Sequence, residues 1–370
     1  MKIISLFNNK GGVGKTTLTY HVCCALSELG KKVLMIDLDP QCSLTILSNN
    51  IQELQKIWES ENIFIDNGFE MARGKMSSEE YKKMNETPRT IHYLLKPTEE
   101  GTGDLDRLPP PIALSANLDL LPGRLTLHMY ENKITERWAG VYSGDPLAIR
   151  TITKIHKISA DYAACYNYDY IVIDTSPSLG MLNKVIISTA DGFATPCYPD
   201  MFSLYGIRNI GRSLEEWRKE FEIVYSLISE EKRKNFPVNF VQFLGYTIYN
   251  AKKYEDQKNE YALASVSYNY VKKIPETIKQ FIPMSARTKI PFEKLKEPIG
   301  EKSIMYTHNT LPNMVQKYHH PMWELPLIDN IERSEQSIIY GSPKQIYLDT
   351  KDKYVTFTQD LIRRIEILED

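Results

Sequence analysis

The chain has 370 residues, 42% of them hydrophobic and 25% charged, which is enough for a large core of its own and ordinary for a globular protein. A formal net charge of -2 excludes an overall basic footprint for nucleic acid and leaves only a local patch. The cysteines (Cys23, Cys24, Cys42, Cys165 and Cys197) form no CxxC pair and are odd in number, which argues against a disulfide framework or an iron–sulfur cluster, and no apolar run approaches the ~20 residues of a membrane span.

Residues 3–7 form an apolar run that predicts a buried strand, and 18–29 predict a helix. Met1 and Lys2 stand directly before the strand and leave no room for a signal peptide, so a cytoplasmic protein is expected. Between strand and helix lies Lys10-Gly11-Gly12-Val13-Gly14-Lys15-Thr16-Thr17. Strand, glycine-rich loop and helix are the context of a phosphate-binding P-loop. Glycines let backbone N–H groups turn around phosphate oxygens, and the helix N-terminus adds partial positive charge there. Lys15 is placed to reach the β- and γ-phosphates and the Thr16 hydroxyl to sit on Mg²⁺.

A second buried strand, 33–36, ends in Asp37-Leu38-Asp39-Pro40-Gln41, which puts carboxylates at the carboxyl edge of a parallel sheet. Asp39 is the candidate for orienting the attacking water, and Asp37 divides evenly between structural support and function. Residues 50–110 read as an irregular surface excursion with helix-like stretches at 51–59 and 77–85. Within it, 49–89 is longer than a compact arrangement needs and reads as an insertion. A short helix at 90–95, a strand and turn at 117–123, and helices at 125–138 and 146–166 follow. The run Tyr168-Asp169-Tyr170-Ile171-Val172-Ile173-Asp174 is a further strand, whose Asp174 is placed to hold Mg²⁺ through water near Thr16. Strands at 193–197 and 238–248 flank a helix that reaches about residue 221, and the second of these strands ends at Tyr249-Asn250.

Residues 251–324 form a second insertion, rich in tyrosine. They include the most basic part of the chain (Lys272, Lys273, Lys279, Arg287, Lys289, Lys294, Lys296 and Lys302), a pattern that fits either nonspecific DNA contact or ordinary solvated helices. An amphipathic helix at 351–366 closes the chain. Glu366, Glu369 and Asp370 at its end disfavour anionic lipid, so it is expected to pack on the sheet and no membrane partner is expected.

The loop KGGVGKTT, the DLDPQ after the second strand and the YDYIVIDTSPSLG of 168–180 together resemble the ParA/MinD family of deviant Walker A ATPases, in blocks that cover roughly two thirds of the chain. The resemblance implies one α/β domain over 1–370, with a mostly parallel, doubly wound P-loop sheet, helices on its faces, and the two insertions. It implies ATP and Mg²⁺ as cofactors, with nucleotide contacts at Lys10, Gly11, Gly12, Val13, Gly14, Lys15, Thr16 and Thr17, and with Asn250 at the adenine base. Lys10 becomes the signature lysine that crosses a homodimer interface to the partner's nucleotide. Lys10, Lys15 and Asp39 are then catalytic, and Thr16, Asp39 and Asp174 surround the metal. Residues 175–180 become a switch that senses the γ-phosphate, less stiff here because Ser176 stands where the family has proline. Residues 325–335 and 340–343 resemble the family's last strand and the loop over the base, with 282–291 as a weaker rival.

By the same resemblance, the leading function is plasmid or chromosome DNA partition in the cytoplasm, in association with the nucleoid, with a ParB-like partner stimulating slow hydrolysis. A switch that positions or assembles a protein cargo, and a regulatory ATP-binding module with little turnover, are the alternatives.

Overall fold

The computed structural model describes residues 1–233, 236–341 and 343–369; Ser342 and Asp370, named above, lie outside the described residues. Seven strands form one sheet in the order β3-β4-β2-β5-β1-β6-β7, with β1 Lys2–Leu6, β2 Val33–Asp37, β3 Ile112–Ser115, β4 Leu118–Leu121, β5 Tyr170–Asp174, β6 Gly192–Cys197 and β7 Gln242–Ile248. All neighbouring pairs are parallel except β3 with β4. Strands β2 and β5 are buried at every residue, as parallel strands covered on both faces must be. The expected α/β P-loop sheet is the observed fold.

Helices pack in two groups around this sheet. The helix Lys15–Glu28 packs against Lys344–Glu366, while His128–Tyr142, Pro146–Tyr166, Met181–Thr189 and Met201–Leu227 pack in succession on one another. The C-terminal helix thus lies on the P-loop helix, held in part by an ion pair between Lys351 and Glu28 at 2.9 Å.

Two expectations are corrected. The helix-like stretches expected at 51–59 and 77–85 are helices, Ile51–Asn67 and Ser78–Met84, but with Phe69–Gly74 between them the segment is mostly helical rather than an irregular excursion. Their aromatic side chains are concentrated: Phe64 and Phe69 pack on each other, on Tyr81 and on Tyr93, with ring centroids 5.2 to 6.4 Å apart. Strand β3 was not among the expected strands; it lies at the sheet edge, where its side chains alternate between half-buried and exposed. The segment expected as the last strand is instead a 3-10 turn, Leu325–Leu327, followed by a four-residue helix, Gln336–Ile339. The chain that flanks the end of β7 is an earlier one. Ala251 N–H donates to Met305 O and Thr307 N–H to Ala251 O, both at 2.9 Å.

Candidate nucleotide site

Strand order decides what meets at the P-loop. Strand β1 lies between β5 and β6, and β5 lies beside β2, so the loop after β1 emerges next to the carboxylates that end β5 and β2. Asp37 and Asp174 are partners in the β2–β5 register. The loop turns on two left-handed glycines, Gly12 (φ 73°) and Gly14 (φ 81°), and Gly14 is the N-cap of the helix Lys15–Glu28. A side chain at Gly12 would meet nothing within 4 Å, so the cradle is open there. At Gly14 it would strike Tyr249 and Asn250, the residues that follow β7.

The carboxylates are bound into the fold. Thr16 Oγ1 donates to Asp174 Oδ2 at 2.8 Å. Asp37 accepts from Thr45 twice, at 2.8 Å from N–H and 2.6 Å from Oγ1, and from Asp39 N–H at 3.1 Å. Asp39 accepts from Gln41 N–H at 2.9 Å. Burial raises the pKa of all three above the usual carboxylate range, and for Asp174 the charge of Asp37 adds to it. Lys15 is buried and its pKa is lowered by desolvation, although Asp174 and Asp39 oppose that shift. One lysine therefore faces a group of carboxylates that disfavour their own charge. Among the described residues no three His, Cys, Asp or Glu side chains form a metal cluster of their own, so Thr16 and Asp174 are the side chains that would hold a divalent cation here.

The structure brings together residues 10–17, Asp37, Asp39 and Asp174, and sets Asn250, itself left-handed at φ 61°, beside Gly14. The loop 175–180, expected as a switch, is held from outside. Asn183 Nδ2 donates to the carbonyls of Ser176 and Ser178, each at 2.8 Å, which tethers the loop despite Ser176. Lys10 points elsewhere: its Nζ lies 2.5 Å from Asp200 Oδ2, just after β6. Asn183 and Asp200 were missed as site residues. Asp200 carried a signal, an acid among aromatics directly after a strand at the sheet's carboxyl edge; Asn183 carried none. The basic residues of 251–302 are exposed or half-buried and several sit over aromatic rings, with Lys272 over Tyr268 at 4.8 Å and Lys302 over Tyr261 at 5.3 Å.

A family model described as an AAA domain matches residues 1–225. The chain belongs to the ParA/MinD-type P-loop ATPases. It is 26% identical over 211 residues to the sporulation initiation inhibitor protein Soj of Bacillus subtilis, covering 56% of this chain and 63% of Soj. It is 25% identical over 255 residues to the virulence plasmid ParA family protein pGP5-D of Chlamydia psittaci, covering 68% of this chain and 78% of that one. The first relatives it matches, from Methanocaldococcus jannaschii and Mycobacterium tuberculosis, are uncharacterized, and the chain spans 66% and 53% of their lengths. Among solved structures, pNOB8 ParA covers 99% of this chain and 98% of its own at a TM-score of 0.56 and 18% identity, so there it is the fold that is shared. A second pNOB8 ParA structure is bound to nonspecific DNA, with a TM-score of 0.50, 18% identity, and coverage of 99% of this chain and 98% of its own. Among the described residues, no helix is long and apolar enough to cross a membrane.

Proposed function

We propose that this ParA-like protein is an ATPase that dimerises with ATP and serves DNA partition. The observation that carries this is the Thr16–Asp174 hydrogen bond at 2.8 Å, which joins the P-loop to the carboxylate of β5, the two residues that would hold a magnesium ion. Bound Mg²⁺ would neutralise charge on the β- and γ-phosphates. The chain's own residues do the rest. Backbone N–H groups of 11–16 hold the phosphates, and Lys15 balances their charge. Asp39, with its raised pKa, orients water and accepts its proton. Asn250 borders the base from the end of β7, and Lys10 is delivered to the nucleotide of a second chain. Positioning and electrostatics supply most of the rate in such reactions.

DNA as the cargo is supported by the exposed cations of 252–302 and by the likeness to a ParA that binds nonspecific DNA. The test is binding to nonspecific duplex DNA with ADP, ATP and a nonhydrolysable ATP analogue, at two salt concentrations. Binding that needs ATP or the analogue and falls with salt supports DNA partition. Protein that dimerises with ATP but ignores DNA at low salt refutes it.

One observation favours a protein cargo or activator at the 49–89 insertion. Trp58 Nε1 donates to Gly123 O at 3.1 Å, Gly123 N–H donates to Thr45 Oγ1 at 2.8 Å, and that hydroxyl donates to Asp37 at 2.6 Å. The helix Ile51–Asn67 is thereby tied by hydrogen bonds to the carboxylate next to Asp39.

A further inference from the structure

The segment before the P-loop is pinned on the side of β6. Asn8 Nδ2 donates to Pro196 O at 2.8 Å, and Asn8 Oδ1 accepts from Lys10 N–H at 3.0 Å. This directs Lys10 towards the turn between β6 and the helix Met201–Leu227. There its Nζ lies 2.5 Å from Asp200 Oδ2, 5.0 Å from the centre of the Tyr198 ring and 5.6 Å from that of Phe202. A carboxylate and two aromatic faces are what a desolvating ammonium prefers. The other carboxylate oxygen is engaged too: Asp200 Oδ1 accepts from Ser203 N–H at 3.0 Å and caps the Met201–Leu227 helix, whose N-terminal dipole holds the negative charge in place. The lysine is thus bound to its own chain by a group that the fold has fixed.

The surroundings of this pair are unusual for an exposed ion pair. Tyr198, Met201, Phe202 and Tyr205 are all exposed, at 38%, 43%, 61% and 52%. Tyr198 and Phe202 are the two whose rings the Lys10 ammonium lies over, and its own side chain is only 24% exposed.

We propose that Asp200, Tyr198 and Phe202 form a cage that stores Lys10 within its own chain, and that opening this cage sets the ATP concentration at which two chains join. The proposal rests on the dimer switch proposed above, and it makes Asp200 a positioning residue that acts through Lys10. Lys10 cannot serve a second chain's nucleotide while it occupies the cage, so each subunit gives up one ion pair and two ring contacts on joining. For a partly exposed pair with two rings, this difference amounts to about two- to tenfold in the ATP needed.

Asp200→Asn keeps the helix cap, since asparagine caps as well as aspartate, and removes the charge. A second variant, Tyr198→Leu with Phe202→Leu, opens the ring side and leaves the carboxylate in place. Two readouts separate the cage from the dimer. In the first, nucleotide-free protein is labelled with an amine-reactive acetyl ester and Lys10 is followed by peptide mass spectrometry, with Lys2 and Lys133 as references. Either variant should raise Lys10 labelling several-fold against the references; unchanged labelling overturns the cage. In the second, molar mass is followed by light scattering against a nonhydrolysable ATP analogue with Mg²⁺. The variants should form dimer at about two- to tenfold lower analogue than the wild type, and variants that need as much or more overturn the proposal while the dimer switch stands. No dimer in either the wild type or the variants overturns the switch itself, and the threshold with it.

Discussion

Gly14 gives the sharpest quantitative prediction for the P-loop. It sits at φ 81°, and a Cβ built there lies 2.5 Å from Tyr249 Cε1 and 2.9 Å from Asn250 Nδ2. An alanine in the left-handed region costs roughly 1–2 kcal/mol, and forcing a methyl into packed atoms costs typically about 1–3 kcal/mol more. Gly14→Ala should therefore destabilise the nucleotide-free protein by about 2–5 kcal/mol, a large share of the ~5–15 kcal/mol that holds a typical protein folded. Gly12→Ala is the internal control: its φ is 73°, but nothing lies within 4 Å of its Cβ, so only the backbone contribution applies. Urea unfolding followed by circular dichroism should place Gly14→Ala below Gly12→Ala by about 1–3 kcal/mol. Adding Tyr249→Val should recover much of that difference. The same change removes the Tyr249–Tyr354 hydroxyl bond at 2.7 Å, so Tyr249→Val alone completes the cycle. Equal costs at the two glycines, or no coupling between 14 and 249, would refute the close approach of the end of β7 to the P-loop.

Further predictions concern the carboxylates and the loop. Asp37 and Asp174 have pKa values raised by burial in the folded state, so the protonated forms contribute stability that is fully present below the unfolded pKa near 3.9 and is lost as pH rises through the raised values. Asp174→Asn should therefore gain melting temperature relative to the wild type as pH is raised from acid to alkaline in the absence of nucleotide, and a constant difference would contradict this. Thr16→Ala removes the hydroxyl that donates to buried Asp174, which should cost about 1–3 kcal/mol in urea unfolding and abolish the dependence of nucleotide affinity on Mg²⁺, whereas Thr16→Ser should keep both. Asp39→Ala should retain ATP binding in equilibrium dialysis and lower phosphate release by on the order of 10²–10⁴-fold. Asn183→Ala frees the carbonyls of Ser176 and Ser178, and should speed hydrogen exchange in 175–180 without a comparable change in β5.

Much of this protein was legible in its sequence because the P-loop, β2 and β5 are local patterns. Each is an apolar run that ends in residues whose chemistry identifies it, and the parallel sheet follows from strands alternating with helices. Helix Pro146–Tyr166 was readable end to end, with Asp145 as its N-cap and proline at its start. What failed depends on partners distant in sequence. The helix-like stretches at 51–59 and 77–85 were readable, but the packing of Phe64 and Phe69 on Tyr93 was not, and the loop beside Asn250 is set by Met305 and Thr307. No periodicity within those segments encodes either pairing. The same holds at the site. Lys10 was readable as a special lysine, but its present position depends on Asp200, 190 residues away.

The central claim is that ATP joins two copies of this chain through Lys10. Light scattering on the purified protein with Mg²⁺ and a nonhydrolysable ATP analogue tests it most directly. The mass should rise from that of one 42.8 kDa chain to that of two with the analogue, should not rise with ADP, and should stay at one chain for Lys10→Ala in either case. A mass that ignores the analogue, or a Lys10→Ala variant that dimerises as the wild type does, would contradict it.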